Sequence, residues 1–227
     1  MMTTTLPVAE TFVSIQGEGP CAGQRMYFLR LAGCNVGKYE HPDDAHSICT
    51  SALGKEFLCD TNYRKTKDMT LEEIIKEAKA AQVNTILFTG GEPVLHQEKL
   101  GLLFQLLKGE LRLHLETSGT LPIGLFYDLV TCSPKEGYLP SNCSIIDVFK
   151  FVVTDVFELH AVQTFCEANK VDPKSQEIFI SPVAPIMFIS SEEAQFYFSF
   201  ANKLTSSPLW QPHWRLNLQQ HKLLGVR

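Results

Sequence analysis

Three cysteines in one polar stretch are the residues of this chain whose type and spacing most directly suggest chemistry. Fourteen residues separate Cys34 from Cys49, and nine separate Cys49 from Cys59. The stretch has neither strand nor helix periodicity, and such a long loop inside a compact domain is usually functional. Three thiolates are one ligand short of a closed zinc site or a fully ligated four-iron cluster, which leaves a position where a small molecule can bind. His41 and His46 lie in the same loop and could instead complete a zinc site.

Composition favours reduced thiols over disulfides. The 227 residues include seven cysteines, 44% hydrophobic residues and 20% charged residues, with a net charge of -5. An odd number of cysteines without an apolar leader predicts a cytoplasmic protein with free thiols. The negative charge argues against direct nucleic-acid binding, and no apolar run is long enough for a membrane span. The remaining cysteines lack ligand spacing and are expected to be small core residues: Cys21, Cys132, Cys143 and Cys166.

Alternating strand and helix patterns are expected to position the cysteine loop. Strand patterns begin near Glu10 and continue at 26–31, 84–88, 111–115, 128–132, 147–153, 177–180 and 214–218. Helices are predicted at 70–82, where Thr70 and Glu73 form a capping box, and at 97–108, 155–169 and 191–204. This alternation predicts a mainly parallel α/β sheet, and about six units favour an open, partial β/α barrel over a closed one. We expect a single domain over 1–227, with the cysteine loop at about 32–66.

Polar residues recur after the predicted strands, at the sheet edge where parallel α/β folds bind ligands. Thr89-Gly90-Gly91-Glu92 could hold the ammonium of an amino-acid-like ligand with bare backbone and one carboxylate, or could form an ordinary strand-to-helix turn. Glu116 and Ser118 suit a ribose diol but could also be solvated strand-end residues. Arg30 shares a strand face with Phe28 and needs an anionic partner, which is either a ligand or a neighbouring acidic side chain.

Five segments together are more specific than any one motif. They are Ser14-Ile15-Gln16-Gly17-Glu18-Gly19, Arg30-Leu31-Ala32-Gly33-Cys34-Asn35, Cys59-Asp60-Thr61, Thr89-Gly90-Gly91-Glu92-Pro93 and Gln220-His221-Lys222. In combination they resemble the 7-carboxy-7-deazaguanine synthase family of radical S-adenosylmethionine enzymes. The resemblance implies a partial β/α barrel, usually homodimeric, with a [4Fe–4S] cluster, S-adenosylmethionine, Mg²⁺ and an electron donor such as flavodoxin or ferredoxin. It also implies the reaction, a conversion of 6-carboxy-5,6,7,8-tetrahydropterin to 7-carboxy-7-deazaguanine and ammonia through a 5′-deoxyadenosyl radical, in queuosine or 7-deazapurine biosynthesis.

Individual roles follow from the same resemblance. The cluster ligands would be Cys34, Cys49 and Cys59, and Thr61 would ligate a Mg²⁺ that also contacts the substrate carboxylate. S-adenosylmethionine would be held by Gly91 and by the backbone of Leu58, Cys59, Asp60, Ser133, Pro134, Lys135, Ser181, Pro182 and Val183. We assign the strand-end residues Glu92, Glu116 and Ser118 to the same cofactor. The pterin would be recognised by Ile15, Gln16, Gly17, Arg30 and Thr89, with His221 and the terminal carboxylate at Arg227 nearby.

The chain departs from the family pattern in two places. The gap of nine residues before Cys59 is longer than the usual C-x-x-C spacing, so a histidine or another cysteine could replace Cys49. Leu58 stands where an aromatic residue often packs on adenine, and an aliphatic side chain supplies similar contact area.

Two other functions remain open from the sequence. A glycyl-radical activating enzyme would share the cluster but has no use for Gln16, Arg30 and His221 together. A zinc-stabilised binding module would close its site with the three cysteines and His41 or His46.

Overall fold

An open, largely parallel sheet is the main feature of the computed structural model, which describes residues 4–41, 43–107, 109–184 and 190–225. The strands are β1 (Thr5–Ile15), β2 (Arg25–Leu31), β3 (Ile48–Thr50), β4 (Glu56–Leu58), β5 (Lys67–Thr70), β6 (Thr85–Gly90), β7 (Arg112–Thr117), β8 (Leu129–Cys132), β9 (Val148–Val153), β10 (Glu177–Pro182) and β11 (Trp214–Leu216). The helices are α1 (Leu71–Ala80), α2 (Gln97–Leu107), α3 (Glu158–Ala168), α4 (Ser191–Thr205) and α5 (Gln220–Leu224).

The order of the strands defines a partial barrel. Nine strands form one sheet in the order β5-β1-β2-β6-β7-β8-β9-β10-β11, and β3 pairs with β4 as a separate hairpin. Every neighbouring pair from β2 to β11 is parallel, whereas β1 is antiparallel to both of its neighbours. Within the described residues, β5 and β11 are the two edges and do not pair with each other. The predicted open β/α barrel is therefore confirmed.

The helices cover the sheet with apolar faces that the sequence pattern predicts. In α1 the buried residues are Leu71, Ile74 and Ala78, which recur at helical spacing. The predicted capping box is present: the backbone N–H of Glu73 donates to the Thr70 hydroxyl at 3.1 Å, and the Glu73 carboxylate accepts from the Thr70 N–H at 2.8 Å. Such a cap contributes about 1 kcal/mol to helix stability. Among the described helices, none is long and apolar enough to cross a membrane.

The short elements are the ones that the pattern missed. All eight predicted strands of the sheet and all four predicted helices are present, but β3, β4, β5 and α5 were not expected, and β1 begins at Thr5 rather than near Glu10. These missed elements have three to five residues each, too few for a reliable period. Of the four cysteines expected in the core, Cys132 is buried within it, whereas Cys21, Cys143 and Cys166 are partly buried and pack against its apolar clusters.

The cysteine loop leaves the sheet after β2 and returns at β5, on opposite sides of β1. The backbone N–H of Ala32 donates to the carbonyl of Pro7 at 3.0 Å, and that of Thr66 donates to the carbonyl of Val8 at 3.0 Å. Both ends of the loop are therefore fixed to consecutive residues of β1. A further bond from the N–H of Gly33 to the carbonyl of Tyr63, at 3.1 Å, closes the base of the loop.

Candidate active site

A cleft of about 660 Å³ opens at the carboxyl ends of the parallel strands, within the range of about 300–1,000 Å³ that is usual for small-molecule sites. Of the predicted site residues that the structure describes, all line this cleft except Glu92 and Pro134. Arg227 lies outside the described residues. A larger cavity of about 1310 Å³ lies near the amino ends of β6 and β7, but among the described residues no cysteine or histidine lines it. The residues that can do chemistry converge on the smaller cleft.

The three predicted cluster ligands come together at this cleft. Cys34, Cys49 and Cys59 all line it. The Cys59 thiol donates a hydrogen bond to Cys49, which lowers the pKa of Cys49 to about 7 and raises the pKa of Cys59. Burial raises the pKa of Cys34, whose sulfur accepts from the backbone N–H of Val36 at 3.5 Å. A thiol that loses its proton near neutral pH is readily available as a metal ligand, because thiolates are the binding form.

The unusual gap of nine residues is folded into the β3–β4 hairpin. In that hairpin Cys49 is opposite Phe57, and the N–H of Cys59 donates to the carbonyl of Ser47 at 2.8 Å. The hairpin turn is fixed in turn by the N–H of Ala52, which donates to the carbonyl of Pro134 at 3.0 Å. The chain therefore doubles back and returns Cys59 to Cys49, so the long gap is compatible with a role for Cys49.

The alternative ligands lie elsewhere. Neither His41 nor His46 lines the described part of the cleft. The His46 ring lies 2.9 Å from the carbonyl oxygen of Cys59, and His41 is exposed. Among the described residues, no three His, Cys, Asp or Glu side chains converge closely enough to hold one metal ion. A four-iron cluster has a different requirement, because each thiolate binds a separate iron. The arrangement fits a cluster better than a mononuclear zinc site.

Gly90, the last residue of β6, and Gly91, which follows it, allow the start of the cysteine loop to lie directly on the sheet. A Cβ on Gly91 would stand 1.9 Å from the carbonyl oxygen of Gly33, and the N–H of Glu92 donates to that same oxygen at 2.9 Å. Gly90 has a φ of +129°, which side chains rarely adopt. These glycines therefore set the position of Cys34, the residue after Gly33.

Glu92 is a buried structural group. Its carboxylate is fully buried and accepts from the Thr117 hydroxyl at 2.9 and 3.0 Å and from the N–H of Val94 at 3.1 Å. It also accepts from both the N–H, at 2.8 Å, and the hydroxyl of Ser118. Glu92 does not line the described part of the cleft and its acceptors are used inside the protein, so its contact with a cofactor stays a prediction. Pro134 is likewise buried, and its carbonyl anchors the hairpin rather than lining the cleft.

Several residues predicted for the pterin are joined by one carboxylate. Glu116 accepts from the Gln16 amide at 3.1 Å and from the Thr89 hydroxyl at 2.8 Å. A Cβ on Gly17 would stand 2.1 Å from Nδ1 of His221, so the turn after β1 lies directly against the last helix. Glu116, predicted to bind a ribose, thus orients side chains on the predicted substrate side of the cleft.

Arg30 combines the two interpretations that the sequence left open. Its guanidinium forms an ion pair with Glu10 and lies 5.4 Å from the centre of the Phe12 ring. Its Nε is buried and has no hydrogen-bond partner among the described residues. A buried donor without a partner is costly, so Arg30 retains capacity for an anionic ligand in the cleft that it lines.

The other predicted residues lie around these groups. Leu58 lines the cleft, and 54% of its surface is exposed, as expected of an apolar side chain that packs against a ligand. The hydroxyl of Thr61 donates to the Asp60 carboxylate at 3.4 Å. Across the cleft, the Lys135 ammonium donates to the carbonyl and hydroxyl of Ser133, both at 2.9 Å.

Sequence reasoning missed a buried ion pair in the cleft wall. The Lys150 ammonium binds the Glu18 carboxylate, with only 15% and 9% of the two side chains exposed. Burial acts to raise the pKa of Glu18, but Lys150 outweighs it, so that pKa is lowered. Burial acts to lower the pKa of Lys150, but Glu18, Glu116 and Asp60 together outweigh it, so that pKa is raised. The available signal was a lysine between Phe149 and Phe151 in an apolar strand.

Asn217 is a second missed residue, and nothing in its local sequence marks it. It is 3% exposed and follows β11. Its side-chain oxygen accepts from the N–H of Gly19 at 2.8 Å, and its side-chain nitrogen donates to the Ser181 hydroxyl at 2.9 Å. One amide therefore ties the glycine-rich turn to the end of β10.

Comparisons with known proteins agree with this site. Residues 34–131 match the model of the Radical SAM superfamily. The chain is 33% identical to 7-carboxy-7-deazaguanine synthase of Synechocystis sp., over 100% of this chain and 96% of that protein. It is 32% identical to the synthase of Flavobacterium psychrophilum, over 97% and 92% of the two chains. The crystal structure of QueE from Escherichia coli has the same fold, with a TM-score of 0.63 and 23% identity over 96% of this chain and 95% of that one.

The fold and the three-cysteine cleft define a radical S-adenosylmethionine enzyme. This class uses a [4Fe–4S] cluster and S-adenosylmethionine. Within it, the full-length similarity shows that the chain belongs to the 7-carboxy-7-deazaguanine synthase family.

Proposed function

We propose that this protein converts 6-carboxy-5,6,7,8-tetrahydropterin to 7-carboxy-7-deazaguanine with release of ammonia, as a radical S-adenosylmethionine lyase of 7-deazapurine and queuosine biosynthesis. The observation that carries the proposal is the convergence of three cysteines and the predicted pterin-binding residues on one cleft. Membership of the synthase family supports the reaction. A glycyl-radical activating enzyme or a zinc module would not explain this combination.

The cysteine side of the cleft would hold the cofactors. Cys34, Cys49 and Cys59 would ligate three irons of the cluster, leaving the fourth for the amino and carboxylate groups of S-adenosylmethionine. When bound, these cofactors supply the electron and the 5′-deoxyadenosyl radical that removes hydrogen from the pterin. The exposed Leu58 would cover part of the nucleoside, and the backbone at Gly91 would approach it closely.

Further cofactor contacts would come from the cysteine loop and from the ends of β7, β8 and β10. They are the cleft-lining residues Asp60, Ser118, Ser133, Lys135, Ser181, Pro182 and Val183. Because the sheet and the cysteine loop both contribute, together they would exclude water from the cofactor.

The opposite side would bind the substrate. Arg30 would pair with the pterin carboxylate through its unpartnered Nε. Gln16 and Thr89, held by Glu116, would present hydrogen-bonding groups to the heterocycle, and His221 would close this side. Ile15 and Gly17 would supply apolar contact and close backbone approach.

Thr61 would ligate Mg²⁺ together with the substrate carboxylate. Its hydroxyl lines the cleft two residues after Cys59, and hydroxyl and carboxylate oxygens suit this cation. We also propose that the protein is a cytoplasmic homodimer that receives its electron from a donor such as flavodoxin or ferredoxin.

The test is anaerobic turnover of the reconstituted protein with S-adenosylmethionine, Mg²⁺, dithionite and 6-carboxytetrahydropterin, with the product followed by mass spectrometry. Product that requires all four components supports the proposal. Cofactor cleavage without product would keep the enzyme class and reject the substrate. No cleavage, with stoichiometric bound zinc, would instead favour the binding module.

Variants test the cluster ligands separately. Cys34→Ala, Cys49→Ala and Cys59→Ala are each expected to abolish cofactor cleavage and lower the iron content. Cys166→Ala is the matched control, because this cysteine lies on α3 against the core and does not line the cleft. Retained cleavage in any of the first three variants would reject that ligand assignment.

A further inference from the structure

The segment after β11 contacts three separate parts of the cleft. Besides the Asn217 bonds to Gly19 and Ser181, the N–H of Gln220 donates to the carbonyl of Gly17 at 3.1 Å. The same segment therefore fixes the glycine-rich turn on the substrate side. Two further polar contacts of this segment reach the cysteine loop.

Those contacts end on one carboxylate of the cysteine loop. The Lys222 ammonium donates to Oδ2 of Asp60 at 2.7 Å, and the Gln219 amide donates to the same oxygen at 3.1 Å. We call these three side chains the C-terminal clasp. Asp60 lies between Cys59 and Thr61 in the sequence. The clasp therefore binds the loop next to a proposed cluster ligand and next to the proposed Mg²⁺ ligand.

The burial of Lys222 distinguishes this contact from the surface ion pairs of the protein. Only 8% of the Lys222 side chain is exposed, although its partner Asp60 remains 36% exposed, whereas the paired lysines Lys65, Lys67 and Lys79 are 49–51% exposed. Exposed pairs contribute little because water screens them and both long side chains lose entropy. A lysine already immobilised among protein atoms avoids much of that loss of entropy. Its contact with Asp60 therefore fixes the position of Asp60 relative to Lys222.

Gln219 is itself fixed by a contact outside the clasp. Its backbone N–H donates to the hydroxyl of Tyr197 on α4 at 3.3 Å, and Tyr197 is 2% exposed. The segment is therefore held by the core, by the glycine-rich turn and by β10 before it reaches Asp60. Its attachment to the cysteine loop has a rigid support.

We propose that Lys222, with Gln219, is a positioning residue that sets the cysteine loop relative to the substrate turn by holding Asp60. This inference rests on the proposed function. A radical reaction needs the abstracting atom and the substrate hydrogen in near-contact geometry, and small displacements reduce the rate strongly. Without the clasp, all three cysteines can still bind the cluster, but the segment Cys59–Thr61 becomes more mobile. Cofactor cleavage then continues while transfer to the substrate becomes inefficient.

The central variant is Lys222→Met, which keeps length and apolar volume but removes the charge. Lys222→Arg preserves the charge, and Gln219→Leu removes only the weaker contact. The matched control is Lys79→Met, because Lys79 pairs with Glu110 at 2.8 Å on the surface, away from the cleft. The reconstituted protein is used, and iron content and circular dichroism verify cluster loading and folding of every variant.

Two readouts are combined. The first is the ratio of 5′-deoxyadenosine released to 7-carboxy-7-deazaguanine formed. The second is amide hydrogen exchange of residues 57–64 in the absence of substrate. In Lys222→Met we expect both to rise by about tenfold, the factor associated with one hydrogen bond to a charged group. Gln219→Leu should shift both less, Lys222→Arg should restore most of the wild-type behaviour, and Lys79→Met should change neither.

The outcomes separate the clasp from the proposed function. Faster exchange with an unchanged ratio of 5′-deoxyadenosine to product would mean that the clasp is only a structural contact, which overturns the proposal. A higher ratio with unchanged exchange would mean that Lys222 contacts the substrate directly, which also overturns it. If the wild-type protein makes no product, the proposed function fails. Unchanged exchange in Lys222→Met would then overturn the clasp as well, whereas faster exchange with cofactor cleavage retained would support it.

Discussion

The buried pair of Lys150 and Glu18 gives a prediction whose magnitude follows from its burial. Lys150→Met leaves the Glu18 carboxylate, 9% exposed, without its cation. Removing one partner of a buried pair costs about 3–5 kcal/mol, far more than for exposed pairs. At about 2–4 °C per kcal/mol for a chain of this size, we expect the unfolding midpoint to fall by at least about 6 °C. The measurement is thermal unfolding of the reconstituted variant and wild-type proteins under anaerobic conditions.

The pH dependence of the loss follows from the two pKa shifts. The lowered pKa of Glu18 gives stability that is present above its unfolded value and lost as pH falls through the folded value. The raised pKa of Lys150 gives stability that is present below its unfolded value and lost as pH rises through the folded one. The pair is therefore at full strength between about pH 4.5 and about pH 10.

In Lys150→Met, burial alone dominates Glu18 and raises its pKa. The variant then recovers stability as pH falls and the buried carboxyl takes up a proton. We expect the difference from wild type to shrink by about 1 kcal/mol or more between about pH 7 and about pH 5. The double variant with Glu18→Gln should be more stable than Lys150→Met alone, because no charge remains buried.

Two results would refute this reasoning. A midpoint shift below about 2 °C would mean that the pair behaves like a screened surface contact. An equal loss at both pH values would mean that the cost arises from packing around the substituted side chain rather than from the uncompensated carboxylate.

Three further predictions concern the backbone and the metal. Gly91→Ala places a Cβ 1.9 Å from loop backbone and should destabilise the protein and reduce iron binding, whereas Gly101→Ala, inside α2, should leave iron content unchanged. Asn217→Ala leaves the N–H of Gly19 without its acceptor and should cost about 1–3 kcal/mol in urea unfolding; a loss of a few tenths would show that water replaces the amide. Thr61→Ala should raise the Mg²⁺ concentration needed for half-maximal turnover at unchanged iron content, and loss of iron would contradict its assigned role.

The periodic parts of the fold could be predicted from the sequence. Parallel strands such as β6 carry four consecutive buried residues between turn signals, and α1 carries an explicit capping box. The short strands in the cysteine loop could not be predicted, because their pairing partners are decided by tertiary contacts. The β3–β4 hairpin has only three residues a strand, so its register depends on the surrounding loop more than on its own alternation.

Some residues of the candidate site could likewise be predicted from the sequence, and others could not. Cys34, Arg30 and the Gly90-Gly91 pair could be identified because their type and local motif carry the signal. Asn217 could not, since an isolated asparagine gains its role only when three distant segments meet around it. The predicted cofactor contact of Glu92 rests on its position alone, because a strand-end acid looks the same in sequence whether it faces a ligand or, as here, accepts hydrogen bonds from buried backbone.

The closure of the cysteine loop on β1 has a consequence for how its length can vary. Because both ends of the loop are fixed to adjacent residues, added chain does not pull on the sheet. Its cost is mainly the entropy of a longer closed loop, only about 0.6 kcal/mol for each doubling of length. The pairing of β3 with β4 in the hairpin offsets part of that cost. Insertions between Cys49 and Cys59 are therefore thermodynamically inexpensive, and the number of residues between ligands is a poor guide to the distance between them in space.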